Sequence, residues 1–191
     1  MTLLQVMSAD RPDEVRVRTT DRTAIAAELA AHGIHFDSWP ALDGAAARPS
    51  DELLAAYADR IAELDRAGKY RHVDVARLHP DDSDPQWPVV AAAARAKFRP
   101  EHRHAEDEVR FFAAGRGCFY LHIEDAVLAV VCEAGDLLAV PAGTTHWFDM
   151  GDRPDFVALR FFEAEDGWVG DFTGATISDG FPSLDELLTA R

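Results

Sequence analysis

Between Tyr70 and Glu163 the chain is a succession of short β-branched and aromatic runs: Val109 to Phe112, Cys118 to Ile123, Val127 to Cys132, Leu137 to Val140 and Phe156 to Phe162. Strands this short and this closely spaced must pair with one another, which confines the segment to a barrel or a sandwich. Gly115, Gly117, Gly135, Gly143 and Gly151 stand where the runs break, as expected of turns that need positive φ. A length of 191 residues sits closest to one domain. Such a chain buries roughly 70% of the surface that its unfolded form exposes.

Helical signals flank the strand-rich region. Thr20 or Asp21 can cap a helix that sets Ile25 and Leu29 on one face and ends at Gly33. A second helix is expected to start at Ser50, with Asp51 and Glu52 at its positive end. Leu53, Leu54, Tyr57, Ile61 and Leu64 form its apolar stripe up to Gly68. Ser183 and Glu186 make a capping box ahead of Leu187 and Leu188, which predicts a short helix over 183–191. The stretch from Pro80 to Pro88 reads as a surface loop. The expected organisation is one domain over 1–191, with a barrel core at about 70–163 and helical and strand elements over 1–69.

Nineteen Lys and Arg oppose 34 Asp and Glu, a net charge of −15, so nucleic acid and anionic membrane surfaces are excluded as natural partners. The longest apolar run, Ala126 to Cys132, is too short to span a bilayer, and Met1 to Asp10 lack the pattern of a secretion signal. A soluble cytoplasmic protein is expected, monomeric, with Cys118 and Cys132 as free thiols. If the chain folds back around Asp125, both cysteines stand seven residues from the turn and come opposite each other.

The chemistry is concentrated in two places. His102, His104 and Glu108 form H-x-H-x3-E, and alternate residues of a strand point to one side, so the two imidazoles can share one ion. Glu106 and Asp107 leave open which acid turns inward. His146 follows the rigid turn Pro141-Ala142-Gly143-Thr144-Thr145, which can aim it at the same centre. Three imidazoles and a carboxylate suit a divalent transition ion with open positions better than magnesium or calcium. His32, His35, His72, His79 and His122 stand alone and read as ordinary surface or core histidines.

These residues resemble the two motifs of the cupins. The first, H-x-H-x3-E-x6-G, runs from His102 to Gly115; the second, G-x5-P-x-G-x2-H, runs through Gly135, Pro141, Gly143 and His146, with Met150 where Asn is common. The runs Phe98 to His104, Asp107 to Phe112, Gly135 to Leu137, Pro141 to Gly151 and Arg160 to Phe162, with Gly167 and Trp168, are similar to the acireductone dioxygenase family. The resemblance implies a mainly β cupin double-stranded β-helix, or jelly-roll barrel, with short flanking α-helices. It implies that His102, His104, Glu108 and His146 bind one Fe(2+) or Ni(2+) per chain.

It also implies cleavage of the acireductone 1,2-dihydroxy-3-keto-5-methylthiopentene by O2 in methionine salvage. Iron is expected to give formate and 4-methylthio-2-oxobutanoate; nickel, formate, CO and 3-methylthiopropionate. Arg110, two positions past Glu108, points to the same side, where its guanidinium can neutralise and orient an enediolate. Arg160, set among apolar neighbours, needs an anionic partner, either a structural carboxylate or the substrate. Phe98, Phe148 and Trp168 are candidates for the pocket wall. The residues also accommodate a different metal cupin enzyme, such as another dioxygenase or an isomerase, and a cupin that binds a metal or ligand without catalysis.

Overall fold

Two antiparallel sheets face each other, and one long strand belongs to both. The computed structural model describes residues 1–190. Along the chain lie β1 (Leu3–Ser8), β2 (Val15–Thr19), α1 (Arg22–Ala31), β3 (His35–Ser38), α2 (Ser50–Ala56), α3 (Ala58–Leu64), β4 (His72–Leu78) and α4 (Trp87–Phe98). These are followed by β5 (His102–Arg103), β6 (Glu108–Ile123), β7 (Ala126–Glu133), β8 (Asp136–Val140), β9 (Thr145–Asp149), β10 (Phe156–Phe162), β11 (Asp171–Phe172) and α5 (Leu184–Thr189). One sheet has the order β11-β5-β9-β6-β7-β1-β2. In the other, β6 pairs with β10 and β8, which are flanked by β4 and β3. This is the cupin barrel that the motifs imply.

Strand β6 carries the two runs expected at 109–112 and 118–123 as one element. Its first half pairs with β8 and β10, and its second half with β7 and β9. Against β10 the register slips: Ala158 faces Phe112 but Val157 faces Ala114, leaving Ala113 as a bulge. The bulge changes which residues look inward. Before it, Val109, Phe111 and Ala113 pack outward with Trp39, Leu53 and Tyr57. After it, Cys118 and Tyr120 are the outward residues, beneath Leu184 and Leu187 of α5. Phe112, Phe119 and Leu121 face the interior with Leu4, Val6, Leu128, Val130 and Leu138. Because both faces of the sheets are covered, β7 is buried from Ala126 to Cys132 and shows no polar alternation.

Gly115 and Gly117 are therefore not at turns, as the sequence led one to expect, but inside β6. A side chain at Gly115 would overlap the Asp155 carbonyl, and one at Gly117 would overlap the Phe148 ring. Close approach, not chain reversal, demands glycine there.

The first and last helices form as expected: Asp21 caps α1 by accepting from the Ala24 N–H at 2.9 Å, and Ser183 and Glu186 make the capping box of α5. That helix covers Leu184–Thr189 of the expected 183–191, and Arg191 lies outside the described residues. The helix expected from Ser50 is instead broken at Tyr57 (φ −102°, ψ 10°), and Ser50 is its first residue without a side-chain cap. Tyr57 turns its hydroxyl to donate to the Pro40 carbonyl at 3.0 Å and packs its ring against Phe111 at 4.7 Å. The N-terminal strands β1 and β2 extend one sheet and β3 extends the other, so strand pairing reaches well outside 70–163. No helix among the described residues is long and apolar enough to cross a membrane.

The expected pairing of the two cysteines is corrected by one residue. The hairpin turns at Glu124-Asp125 with Ile123 facing Ala126, so Cys132 faces Gly117 and Cys118 faces Val131. Cys118 lies in the outer cluster and Cys132 in the interior. They occupy opposite faces and both are free thiols.

The loop read at Pro80–Pro88 gives way at Trp87 to α4, with Pro88 in its first turn. Only Ala91 of this helix is fully buried, with Ala94 and Phe98 half-buried against the interior, so its apolar contact is narrow. Arg95 donates to Asp149 through Nε at 2.6 Å and a terminal nitrogen at 3.0 Å, and Arg99 adds a bond at 3.2 Å. The same carboxylate accepts from the N–H groups of Gly151 (3.1 Å) and Leu184 (2.9 Å), joining α4, β9 and α5. Burial pushes the Asp149 carboxyl up, but the donors from Arg95, Leu184 and Gly151 outweigh it and hold its pKa below the usual range.

Asp149→Asn is expected to lower unfolding free energy by about 3 kcal/mol, because it removes the buried charge on which two half-buried guanidiniums converge. A group whose folded pKa is depressed stabilises above its unfolded pKa, and that contribution fades as the pH falls through the folded value. The difference in urea midpoint between wild type and variant should therefore shrink below a pH of about 4. A thiol reagent should find neither cysteine in the native protein and both after denaturation.

Candidate metal centre

Three strands and a loop bring the motif residues together at the mouth of the barrel. His102 on β5 pairs directly with His146 on β9. His104 follows β5 and is tied to the second motif by the Gly143 N–H, which donates to its carbonyl at 2.9 Å. Glu108 opens β6. One donor atom from each of His102, His104, Glu108 and His146 lies within 4.8 Å of the others.

The rings are oriented from behind. His102 Nδ1 donates to the Pro100 carbonyl at 2.7 Å, His104 Nδ1 to that of Val169 at 3.0 Å, and His146 Nδ1 to that of Thr144 at 2.8 Å. A backbone carbonyl can only accept, so each Nδ1 carries its proton and Nε2 is the atom each ring offers to the centre. Burial, followed by the neighbouring His146, lowers the pKa of His102 to about 4, which keeps that ring neutral at ordinary pH.

These donors fit a cation. The Nε2 of His146 and Oε2 of Glu108 are buried, 2.6 Å apart, and without hydrogen-bond geometry. Two lone pairs held so close repel unless a positive charge lies between them. Three neutral imidazoles and one carboxylate are the donor set of a borderline transition ion. Burial raises the Glu108 pKa, but the Arg110 guanidinium beside it works against burial and the carboxyl is held well below its usual range, so it is ionised.

The centre opens into a cavity of about 580 Å³, counting its mouth, whose lining includes Phe98, Arg110, Phe148, Arg160 and Trp168. All five residues singled out in the sequence thus reach one space with His102, His104 and Glu108. Arg110 gives a terminal nitrogen to Glu108 Oε1 at 2.7 Å. Arg160 stands opposite it across β10 and β6, and both guanidiniums lie near the Phe162 ring, at 5.1 and 5.2 Å. The Arg160 fork binds Asp74 on β4 at 2.7 and 2.6 Å. Burial lowers the Arg110 pKa, but a guanidinium keeps its charge.

Phe148 packs on Phe119 at 4.8 Å, and Trp168 lies under the Lys97 ammonium at 4.2 Å. Glu106 and Asp107, the competing acids, face elsewhere. Glu106 accepts from the backbone of Glu163 and Ala164, while Asp107 accepts from Lys69 at 2.6 Å and the Ala142 N–H at 3.0 Å. Of the remaining histidines, His79 binds Asp155 and His122 binds Glu101, both at 2.7 Å. Sequence reasoning missed Asp74, the wall residues Phe112, Phe119 and Phe156, and the orienting carbonyls of Pro100, Thr144 and Val169. An acid amid the β-branched residues of β4 was a signal for the first; a backbone carbonyl leaves none.

A two-sheet barrel with this donor set at its mouth is a metal-binding cupin. Comparison with known proteins narrows the class. The ARD/ARD' family profile matches residues 49–170. Acireductone dioxygenase 2 of Nocardia farcinica (strain IFM 10152) is 74% identical over 190 residues, covering 100% of both chains. Acireductone dioxygenase of Saccharopolyspora erythraea is 48% identical over 191 residues, again covering 100% of both. A solved acireductone dioxygenase from Bacillus anthracis, with a cadmium ion in its active centre, superposes with a TM-score of 0.71 at 25% identity, over 90% of this chain and 99% of that one. The chain belongs to the acireductone dioxygenase family.

His104→Ala and His146→Ala are each expected to abolish retention of a divalent ion through gel filtration, measured as metal content per chain. His79→Ala should retain it.

Proposed function

We propose that the protein is a metal-dependent dioxygenase that cleaves 1,2-dihydroxy-3-keto-5-methylthiopentene with O2, and that His102, His104, Glu108 and His146 hold its ion. The observation that carries this reading is the unsatisfied facing pair, His146 Nε2 and Glu108 Oε2, beside a cavity whose lining includes Glu108 and the buried Arg110 guanidinium. When bound, iron(II) or nickel(II) supplies a Lewis-acid site for vicinal oxygens and the redox flexibility that O2 chemistry needs.

The chain supplies the rest. Arg110 donates one terminal nitrogen to Glu108 and the other to the Val109 carbonyl at 3.0 Å, and the N–H groups it has left can fix an enediolate in the cavity it lines by charge-assisted hydrogen bonds. Asp74 engages Arg160 through two nitrogens, so Arg160 shapes the mouth while Arg110 orients the substrate. Phe98, Phe148 and Trp168 wall the cavity, accept an apolar methylthio tail and limit water around a reactive intermediate. Buried free thiols suit a reducing compartment, and we place the enzyme in the cytoplasm.

The test is oxygen uptake with an anaerobically prepared acireductone. Apoprotein loaded with iron(II) is expected to give formate and 4-methylthio-2-oxobutanoate. Nickel(II) should give formate, CO and 3-methylthiopropionate, and zinc(II) should match the uncatalysed rate. Equal uptake in all three samples would overturn the reading. Arg110→Ala should keep its ion while kcat/KM falls by at least about tenfold, the loss of one charge-assisted bond. Metal content and kinetics on the same preparation separate the two effects.

A further inference from the structure

Two glutamates beside the metal-binding histidines are not among the four converging donors. Glu101 precedes His102 and is only 4% exposed, and Glu106 follows His104 by two positions. Both reach the same segment, the strap from Glu163 to Thr173 that leaves β10 and crosses the mouth of the barrel. At the start of the strap, Glu106 accepts from the N–H groups of Glu163 and Ala164. A side chain at Gly167 would overlap the Glu106 carboxylate. At its end, Thr173 donates through Oγ1 to Glu101 Oε2 at 2.7 Å and through its N–H to the Glu101 carbonyl at 3.1 Å. The other oxygen of Glu101 accepts from Nδ1 of His122 on β6 at 2.7 Å. Glu101 therefore bridges the barrel wall and the strap, with both carboxylate oxygens satisfied.

Between these two anchors the strap lies against the backs of two histidines. Its Val169 carbonyl is the acceptor that orients His104, at 3.0 Å. At Gly170 a Cβ would stand 3.1 Å from the His102 ring, so the backbone passes directly over that imidazole. β11 pairs with β5 over Asp171–Phe172 and Arg103–His102. The strap has little apolar burial of its own: Trp168, Val169 and Phe172 are exposed. Its position depends on polar attachments, and a buried carboxylate with two partners is the strongest kind available to it.

We propose that Glu101 and Glu106 form a two-point clasp that holds the strap on the metal centre, making Glu101 and Thr173 positioning residues for His104 through the Val169 carbonyl. This rests on the assignment of His104 as a ligand. It deepens that reading by naming what fixes the ring. Loss of an outer partner of a metal-ligating histidine typically costs 10–100-fold in metal affinity. The clasp acts at one remove, so an effect near the lower end is expected.

The experiment measures nickel(II) release from the loaded protein into excess EDTA, together with hydrogen exchange of residues 163–173. Thr173→Val removes the hydroxyl at an exposed position, and Thr173→Ser retains it. Glu101→Gln can accept only one of the two side-chain bonds that the carboxylate accepts. Thr173→Val and Glu101→Gln should release nickel about tenfold faster than wild type, with faster exchange confined to the strap, and Thr173→Ser should behave as wild type. Wild-type release from Thr173→Val would overturn the proposal, as would equal acceleration in Thr173→Ser or unchanged exchange in the strap. If Glu101→Gln fails to fold, the two Thr173 variants decide alone. Nickel release requires no acireductone, so a wild-type protein that fails to turn over substrate would overturn the dioxygenase reading and leave this test standing.

Discussion

The extra residue in β6 is the constraint on which the barrel mouth depends. In a strand without a bulge, Glu108, Arg110 and Phe112 facing inward would force Cys118 and Tyr120 inward and expel Phe119 and Leu121. The bulge at Ala113 reverses the alternation, so one strand can present a carboxylate and a guanidinium to the cavity from one sheet and two apolar residues to the core from the other. The second half of β6 then carries β9 at the register that sets His146 opposite Leu121. Without the slip, Glu108 and His146 would not look into the same space. Gly115 and Gly117 are the local cost of this bend, since the strand passes too close to Asp155 and Phe148 to carry side chains there.

Charge at the mouth is arranged in a row rather than a cluster. Asp74, Arg160, Arg110 and Glu108 run across β4, β10 and β6 with carboxylates at the two ends and guanidiniums between them. Two like-charged arginines face each other in the middle, and each is drawn outward by its own acid. The row sums to zero, and His102 is kept neutral by burial. An ion at the four donors therefore introduces net positive charge where a dianionic ligand would sit. That distribution also explains how a chain with a net charge of −15 can receive an anion: the local field differs in sign from the average one.

Much of this was legible in the sequence. Spacing pointed to the three histidines because it is written in primary structure, the resemblance to the family chose Glu108 over Glu106 and Asp107, and Arg110 followed from alternation over only two residues. Alternation failed over longer spans. The bulge is invisible to a period-2 reading, which is why the strand was read as two and the glycines as turns. The cysteine pairing failed by one residue for a related reason: a turn of Glu124-Asp125, not Asp125 alone, sets the ladder. Helix α4 escaped notice because it carries almost no apolar stripe. Its attachment through Arg95 and Arg99 to Asp149 is long-range and polar, and no local pattern announces such a contact.

That mode of attachment divides the cavity into walls of unequal compliance. The sheet walls, carrying Phe112, Phe119, Phe148 and Phe156, cannot shift without unzipping ladders shared by several strands. Phe98 rides on a helix anchored chiefly at one carboxylate, and Trp168 rides on the strap, touching that helix through Lys97. A small rotation of α4 about Asp149 displaces Phe98 while breaking no strand pairing. The ligand's path into the cavity is thus mechanically softest between α4 and the strap, and the aromatic residues on that side act as a hinged rim around a rigid bowl.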